Sequence, residues 1–579
     1  MQKRELLAAQ GLVQAELVLK NARFINVFTE RIEHGDIAVC SGKIVGIGQY
    51  EGVTEVDCTG KYVSPGFLDG HIHLESSMMK PVEFAKAVLQ HGTTAVITDP
   101  HEIANVCGVD GIRYMLEASK DLPLDVYVAL PSCVPATDMD ENGFELNAEV
   151  LKQFYSDERV LGLAEVMDYM GLINGNDDLH MKIADASDNH KRVDGHAPGL
   201  NGKALCAYIA AGVESDHECI SLEEAKEKLR LGQWIMIREG TAAKNLEALI
   251  GLFQNPYYQR SMLVTDDRHP NELLEEGHIN AIIRKAIKLG ADPCIAIKMA
   301  TLNTASYFGL RDLGAVAPGF QADLIILSDL KEVTVEQVWK KGQLVYKKGQ
   351  MLKCKEPKIS NHILEKVQHS VHCDSVLPED FELSASHLNK EDKSFRVIQF
   401  MKGEITTKEL LVPVSNGKPQ INTEQDILKI AVVERHHNTH HIGLGFVNGY
   451  GMKKGAIASS VSHDSHNIIV VGVNDQDMAT AVNCIQNMGG GWAIALDGSV
   501  IGSLPLPIGG LMSHLDATTL ASKIDEMKAI ARTLGVTEEI DPFMTLAFVS
   551  LPVIPEIRLT TTGLFHVSKQ EKVPILFHE

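Results

Sequence analysis

The chain has 579 residues, too many for one hydrophobic core, so two to four domains are expected. Its 45% hydrophobic and 22% charged content is that of an ordinary globular protein. The net charge of −22 is spread along the chain, which argues against a nucleic-acid surface, and no run of about 18 apolar residues is present to span a membrane. The N-terminal stretch has basic residues but no uninterrupted apolar core and no small-residue cleavage site, so it reads as mature sequence of a cytoplasmic protein. Ten scattered cysteines without a CxxC pair fit a reduced compartment.

Residues 16–61 read as short strands separated by Gly and Asp (ELVLKNARFINV, GDIAVCSGKIVGIG, VTEVDCTGKYV). A matching patch follows at QADLIILSDLKEVTVEQVWKKGQLVYKKGQ. Segments 1–63 and 311–350 are therefore expected to build one small β-sandwich from both flanks of a central region. That region, 64–310, has a different rhythm. Eight short apolar runs, from YVSPGFLDGHIHLE to MLVTDDRHP, alternate with helical stretches such as PVEFAKAVLQHG and SLEEAKEKLRLG. Eight such units imply a (β/α)8 barrel, whose chemistry sits at the C-terminal ends of its strands. Residues 351–395 are polar and weakly patterned and read as a linker; 396–579 read as a separate C-terminal domain, α/β or α+β. Within it, NMGGGWAIA lacks GxxxxGK[ST] and reads as a tight turn before a strand.

His71 and His73 lie two apart on the first barrel strand, so both side chains leave the same face near its C-terminal end. Two imidazoles there suit Zn, Fe or Mn. Strand 4 ends with Glu165, strand 5 with His196, strand 6 with His217 and strand 8 with Asp266. Any one of these alone is as well explained as a capping or hydrogen-bonded loop residue. Together, four histidines and two carboxylates suffice for two divalent ions sharing a bridging carboxylate. Two ions held close repel, and Glu165 with a shared hydroxide would offset that repulsion; metals also make bound water a nucleophile at neutral pH.

The segments PGFLDGHIHLESSMM, GLAEVMD, DGHAPG, SDHE and TDD resemble the amidohydrolase superfamily, and within it the bacterial adenine deaminases, over essentially the whole chain. Most binuclear relatives carry a carboxylated lysine at the strand-4 bridge, whereas this chain carries Glu165 in the adenine deaminase manner. The resemblance implies hydrolytic deamination of adenine to hypoxanthine and ammonia by a metal-bound hydroxide. It assigns His71 and His73 to one ion, His196 and His217 to the other, and Glu165 to the bridge. Asp266 would be both ligand and general base. The ions would be Mn or Fe, with Zn acceptable.

The proton donor to the purine ring stays open among Glu102, Glu218 and Glu239. Asp99, His101 and Glu102 after strand 2 are placed to touch substrate or metal, or else form a helix cap. His463, Asp464 and His466 in SSVSHDSHN are placed to line the pocket or hold a further metal if their domain covers the mouth; otherwise they form a polar turn. HHNTHH at 436–441 reads as surface or local packing. The enzymatic alternative is a binuclear amidohydrolase of cyclic amides or N-acyl groups, with Arg238 or Arg268 anchoring substrate. A non-catalytic metal scaffold is a further alternative, argued against by the complete ligand set. The partner expected is a purine base, with no nucleic acid and no membrane, and a homodimer is the expected assembly.

Overall fold

The computed structural model describes residues 3–241, 243–352, 354–383, 394–414 and 418–577. Five strands open the chain: β1 (Ala15–Asn26), β2 (Arg31–Cys40), β3 (Lys43–Gly48), β4 (Gly52–Asp57) and β5 (Tyr62–Pro65). Eight more alternate with helices: β6 (Phe67–Ile72), β7 (Thr93–Thr98), β8 (Asp125–Leu130), β9 (Val160–Val166), β10 (Arg192–Gly195), β11 (Ser215–Asp216), β12 (Trp234–Arg238) and β13 (Ser261–Val264). All pairings within this set are parallel, in the orders β6 to β10 and β11 to β13. The bond from Glu214 N to Val193 O (2.9 Å) joins the two runs. A bridge between Ile72 and Asp266, with Asp266 N donating to His71 O at 3.0 Å, closes the barrel. The strands are buried on both faces, which is why TTAVIT and VLGLAEV read as near-continuous apolar runs. Ile97, Ala164, Met236, Met262 and Val264 pack into one apolar cluster.

The chain then returns to the first sheet through β14 (Leu324–Asp329), β15 (Thr334–Lys340), β16 (Gln343–Lys347) and β17 (Gln350–Met351). Both flanks join in one nine-stranded sheet, β17-β16-β15-β14-β5-β1-β2-β3 with β4 on β1. The sandwich expected from the sequence is therefore a single hydrogen-bonded sheet, because β5 pairs with β1 on one side and β14 on the other. Phe24, Ile37, Val63, Leu324 and Trp339 form a cluster drawn from both flanks. Lys340 fastens this sheet to the barrel: buried Nζ donates to Thr94 O (3.0 Å), Asp125 (2.6 Å) and Asp323 (2.5 Å).

The stretch expected to be a linker carries a helix, Asn361–Gln368, whose Ile363 and Val367 are buried; residues 353 and 384–393 lie outside the described residues. The C-terminal sheet runs β18 (Ser394–Phe400), β19 (Thr407–Pro413), β20 (Leu428–Val433), β21 (Ile442–Asn448), β22 (Ala456–Ser459), β23 (Ile468–Gly472), β24 (Gly491–Leu496) and β25 (Ser499–Pro505). Apart from β18 against β21 its pairings are antiparallel, so of the two expected classes the domain is α+β and not α/β. The glycines of NMGGGWAIA serve close packing: at Gly490 (φ +113°) a Cβ would lie 2.3 Å from Gly510 Cα. Nor is this domain separate in its packing, since Phe67 and Val88 of the barrel share one apolar cluster with Val367, Trp492 and Met512. No helix among the described residues is long and apolar enough to cross a membrane.

Candidate active site

The six residues expected as ligands converge at the C-terminal ends of the barrel strands. Glu165, at the end of β9, is central and 3% exposed, and each of its oxygens faces a different set of nitrogens. Oε1 is 3.2 Å from His73 Nε2 and 4.0 Å from His71 Nε2; Oε2 is 2.7 Å from His196 Nδ1 and 3.1 Å from His217 Nε2. Asp266 Oδ1 lies 3.2 Å from His73 Nε2, and its Oδ2 accepts from Arg238 Nη1 at 2.7 Å. Asp266 takes a left-handed φ of 61°, a conformation common for Asp but for few other residues, where β13 ends.

These groups fit a cation. His71 Nε2 is buried without a hydrogen-bond partner, and His196 Nδ1 and His217 Nε2 face each other at 3.2 Å. Two imidazole nitrogens at that distance need a proton or a metal between them. His73 Nδ1 lies 3.1 Å from Asp99 O, a bond that makes Nδ1 the donor and leaves the Nε2 lone pair turned inward. Three triads, His71–His73–Asp266, His71–Glu165–His217 and His196–His217–Glu218, each bring one ligand atom per residue within 4.8 Å of the others.

Electrostatics follow the same geometry. Burial would raise the Glu165 pKa, but hydrogen bonds from His196, His217 and His73 hold it well below the usual carboxylate range. Burial opposes charge on His73, yet Asp266 and Glu165 outweigh it and lift its pKa well above the ordinary value. Burial, reinforced by the neighbouring His217, keeps His71 neutral.

Asp99 and His101 pair at 3.0 Å behind this cluster, with His101 Nδ1 3.7 Å from Glu165 Oε1. Glu218 lies at the site but accepts two bonds from Arg238, with Nη2 to Oε2 at 2.9 Å. Glu239 does not reach it: Oε1 accepts from Leu246 N and Oε2 pairs with Lys285 at 2.7 Å. Its expected place in substrate binding is therefore corrected, because the strand end turns its side chain outward against a helix.

His463 and Asp464 line the same cavity, and His466 stands behind them on Glu102. That cavity, about 280 Å³, is floored by His73, Glu165 and Asp266 and roofed by Thr406, Phe548 and Ile554. Larger hollows of about 1150 and 650 Å³ border Arg159 and Arg192 and contain none of the convergent donors. The smaller one is the chemical site. HHNTHH is local packing, with His437 Nε2 2.9 Å from Asn142 O and His441 on Glu141 at 2.8 Å.

Residues 62–345 match the amidohydrolase family, and residues 404–571 match the adenine deaminase C-terminal domain. Adenine deaminase 2 of Carboxydothermus hydrogenoformans is 48% identical over 98% of both chains. Adenine deaminase of Clostridium acetobutylicum is 47% identical over 96% of this chain and 97% of its own, and that of Geobacillus kaustophilus 43% over 99% and 98%. The chain belongs to the adenine deaminase family.

An adenine deaminase of this build has an active site completed by its C-terminal domain. The roof residues Thr406, Phe548 and Ile554 escaped sequence reading because a threonine in a loop or an apolar residue on a helix carries no sign of a site until the fold brings it over the mouth. Arg238 was legible only as a cation near a strand end; its grip on both Glu218 and Asp266 is a tertiary fact. As an amidohydrolase, the protein is a hydrolytic enzyme whose side chains form groups able to hold divalent metal.

Proposed function

We propose that the protein hydrolyses adenine to hypoxanthine and ammonia, at a site holding two divalent cations. The observation that carries this is end-to-end similarity to relatives named adenine deaminase, including the domain that roofs the cavity. His71 and His73 would hold one ion and His196 and His217 the other, with Glu165 between them and Asp266 alongside. Bound there, divalent cations supply Lewis acidity that makes water a nucleophile at neutral pH. Mixed His and carboxylate donors accept Mn, Fe and Zn alike, and we favour Mn or Fe.

Asp266 takes the water's proton as oxygen attacks C6 and returns it to the departing nitrogen, since a carboxylate at that position reaches both. Arg238 fixes Asp266 through Oδ2, leaving Oδ1 turned into the site. The roof limits bulk water and gives a planar neutral base a surface to lie against. The cyclic-amide alternative loses its anchors: Arg238 is neutralised by Glu218 and Asp266, and Arg268 is bound to Glu239 O and Glu276. We further propose a cytoplasmic enzyme, in keeping with ten free thiols, acting as a homodimer.

The test is a substrate screen on protein loaded with Mn²⁺ or Fe²⁺, with metal content measured in parallel. Ammonia release from adenine, with the ultraviolet shift to hypoxanthine, is expected. No turnover of adenine alongside turnover of a dihydropyrimidine or an N-acyl amino acid would overturn the proposal.

A further inference from the structure

Addition of water at C6 of a purine needs a proton on the adjacent ring nitrogen, and none of the three glutamates considered from sequence has one to give. Glu239 points away. Both oxygens of Glu218 accept from Arg238. Both oxygens of Glu102 accept from histidines: Oε1 from His463 Nδ1 at 2.6 Å and Oε2 from His466 Nε2.

The direction of these bonds is fixed by the backbone. Ser462 N–H donates to His466 Nδ1 at 3.1 Å, so that nitrogen is a lone pair and Nε2 carries the hydrogen given to Glu102. His466 is thus a hydrogen-bond donor to Glu102 through Nε2. Glu102, left acceptor-only, orients His463 through Nδ1. The ring of His463 is further held by stacking on Phe548 (centroids 4.6 Å apart, planes at 16°), and its backbone N donates to Ala547 O at 2.8 Å. Its second nitrogen, Nε2, is the one available to the cavity that His463 lines.

We infer that His463, carried by the C-terminal domain, is a catalytic residue whose Nε2 gives a proton to the ring nitrogen next to C6, with Glu102 and His466 as positioning residues. The inference rests on the function proposed above. As the water oxygen bonds to C6, the C6–N1 π electrons move to N1, which takes the proton from Nε2, and the water's proton goes to Asp266. The C6–N6 bond then breaks, ammonia leaves with the proton returned by Asp266, and the remaining hydroxyl proton goes back to His463. Atoms balance as adenine plus water to hypoxanthine plus ammonia. Burial alone would lower the His463 pKa, but Glu102, with Asp267 and Asp464, pushes it up to about 9, so the donor form is present at neutral pH.

The test compares wild type with His463→Asn, which can keep the bond to Glu102 but lacks a group at Nε2, and His463→Ala. If His463 is the donor, kcat of the Asn variant falls about 100-fold or more while KM stays within about threefold. Metal content and thermal transition stay at wild-type values, and free imidazole restores part of the turnover of the Ala variant. A kcat within about threefold of wild type, or a loss carried entirely by KM, overturns the inference while leaving the deaminase function standing. Loss of metal and of the thermal transition in both variants makes His463 structural and overturns it as well. A wild type inactive on adenine overturns the function itself.

Discussion

Glu165 shows how much chemistry one buried side chain can organise. Its two oxygens face different histidine pairs, so replacing it removes a carboxylate that, among the described residues, is shared by both sides of the site. Glu165→Ala is expected to lose bound metal and turnover together, measured as metal per subunit against ammonia release. Asp266 is different, since its Oδ2 is anchored by Arg238 and only Oδ1 meets His73. Asp266→Asn preserves shape and most of the hydrogen bonding. It should retain most of the metal yet lose about 10²–10⁴ in kcat, the usual worth of a general base. Full activity in either variant would mean that the reacting centre lies elsewhere.

The hydrogen-bonded flanking sheet depends at one point on a charge. Lys340, on β15, meets Asp125 at the start of β8 and Asp323 just before β14; Lys340 and Asp323 are buried and Asp125 is partly buried. Such a cluster adds little over an apolar replacement of the whole, but removing one partner strands the others. Lys340→Met is therefore expected to destabilise the protein by about 3–5 kcal/mol in denaturant unfolding. Burial would raise the Asp125 pKa, but Lys340 outweighs it and depresses the folded value. A depressed carboxylate stabilises above its unfolded pKa, about 3.9, and that contribution is lost as pH falls through the folded value. Wild type should thus lose stability on acidification below about pH 5, and Lys340→Met should lose less over the same range. Parallel acid profiles for the two proteins would refute this.

At the scale of the whole molecule, barrel and roof act as one unit. The loop after β8 inserts Asp140 into the C-terminal domain: Oδ1 accepts from Thr561 N and Oγ1, both at 3.0 Å, and Oδ2 from Ser465 and Asn467. Asp140→Ala removes these acceptors at once and leaves the segment bearing His463 less firmly held. A lowered kcat on adenine and a stability loss of about 1–3 kcal/mol are expected, and an unchanged kcat would separate this contact from the placement of His463. Bound metal adds a second coupling, since an ion that binds only the folded site stabilises it by mass action. Dialysis against a chelator should lower the thermal transition and abolish turnover, and both should return when Mn²⁺ is added. Because the histidines must shed protons to bind metal, reconstitution should weaken as pH is lowered.

The sequence by itself determined the barrel and the six side chains that the fold brings together at its mouth. Strand periodicity and strand-end position are local properties, so His71, His73, Glu165, His196, His217 and Asp266 could be picked out one strand at a time. The resemblance carried by HIHLESSMM and its partner segments pointed to the reaction class for the same reason, as contiguous text. What only the tertiary structure decided involves pairs far apart in the chain. The two flanks became one sheet through β5, the roof became part of the active site, and Glu239 was turned outward to Lys285 despite its strand-end position. The clearest case is Glu102 and His463, 361 residues apart and 2.6 Å apart in space. Nothing local fixes which nitrogen of His463 is tied to an acceptor. That is set by what faces it, and what faces it is known only once the C-terminal domain lies over the barrel mouth.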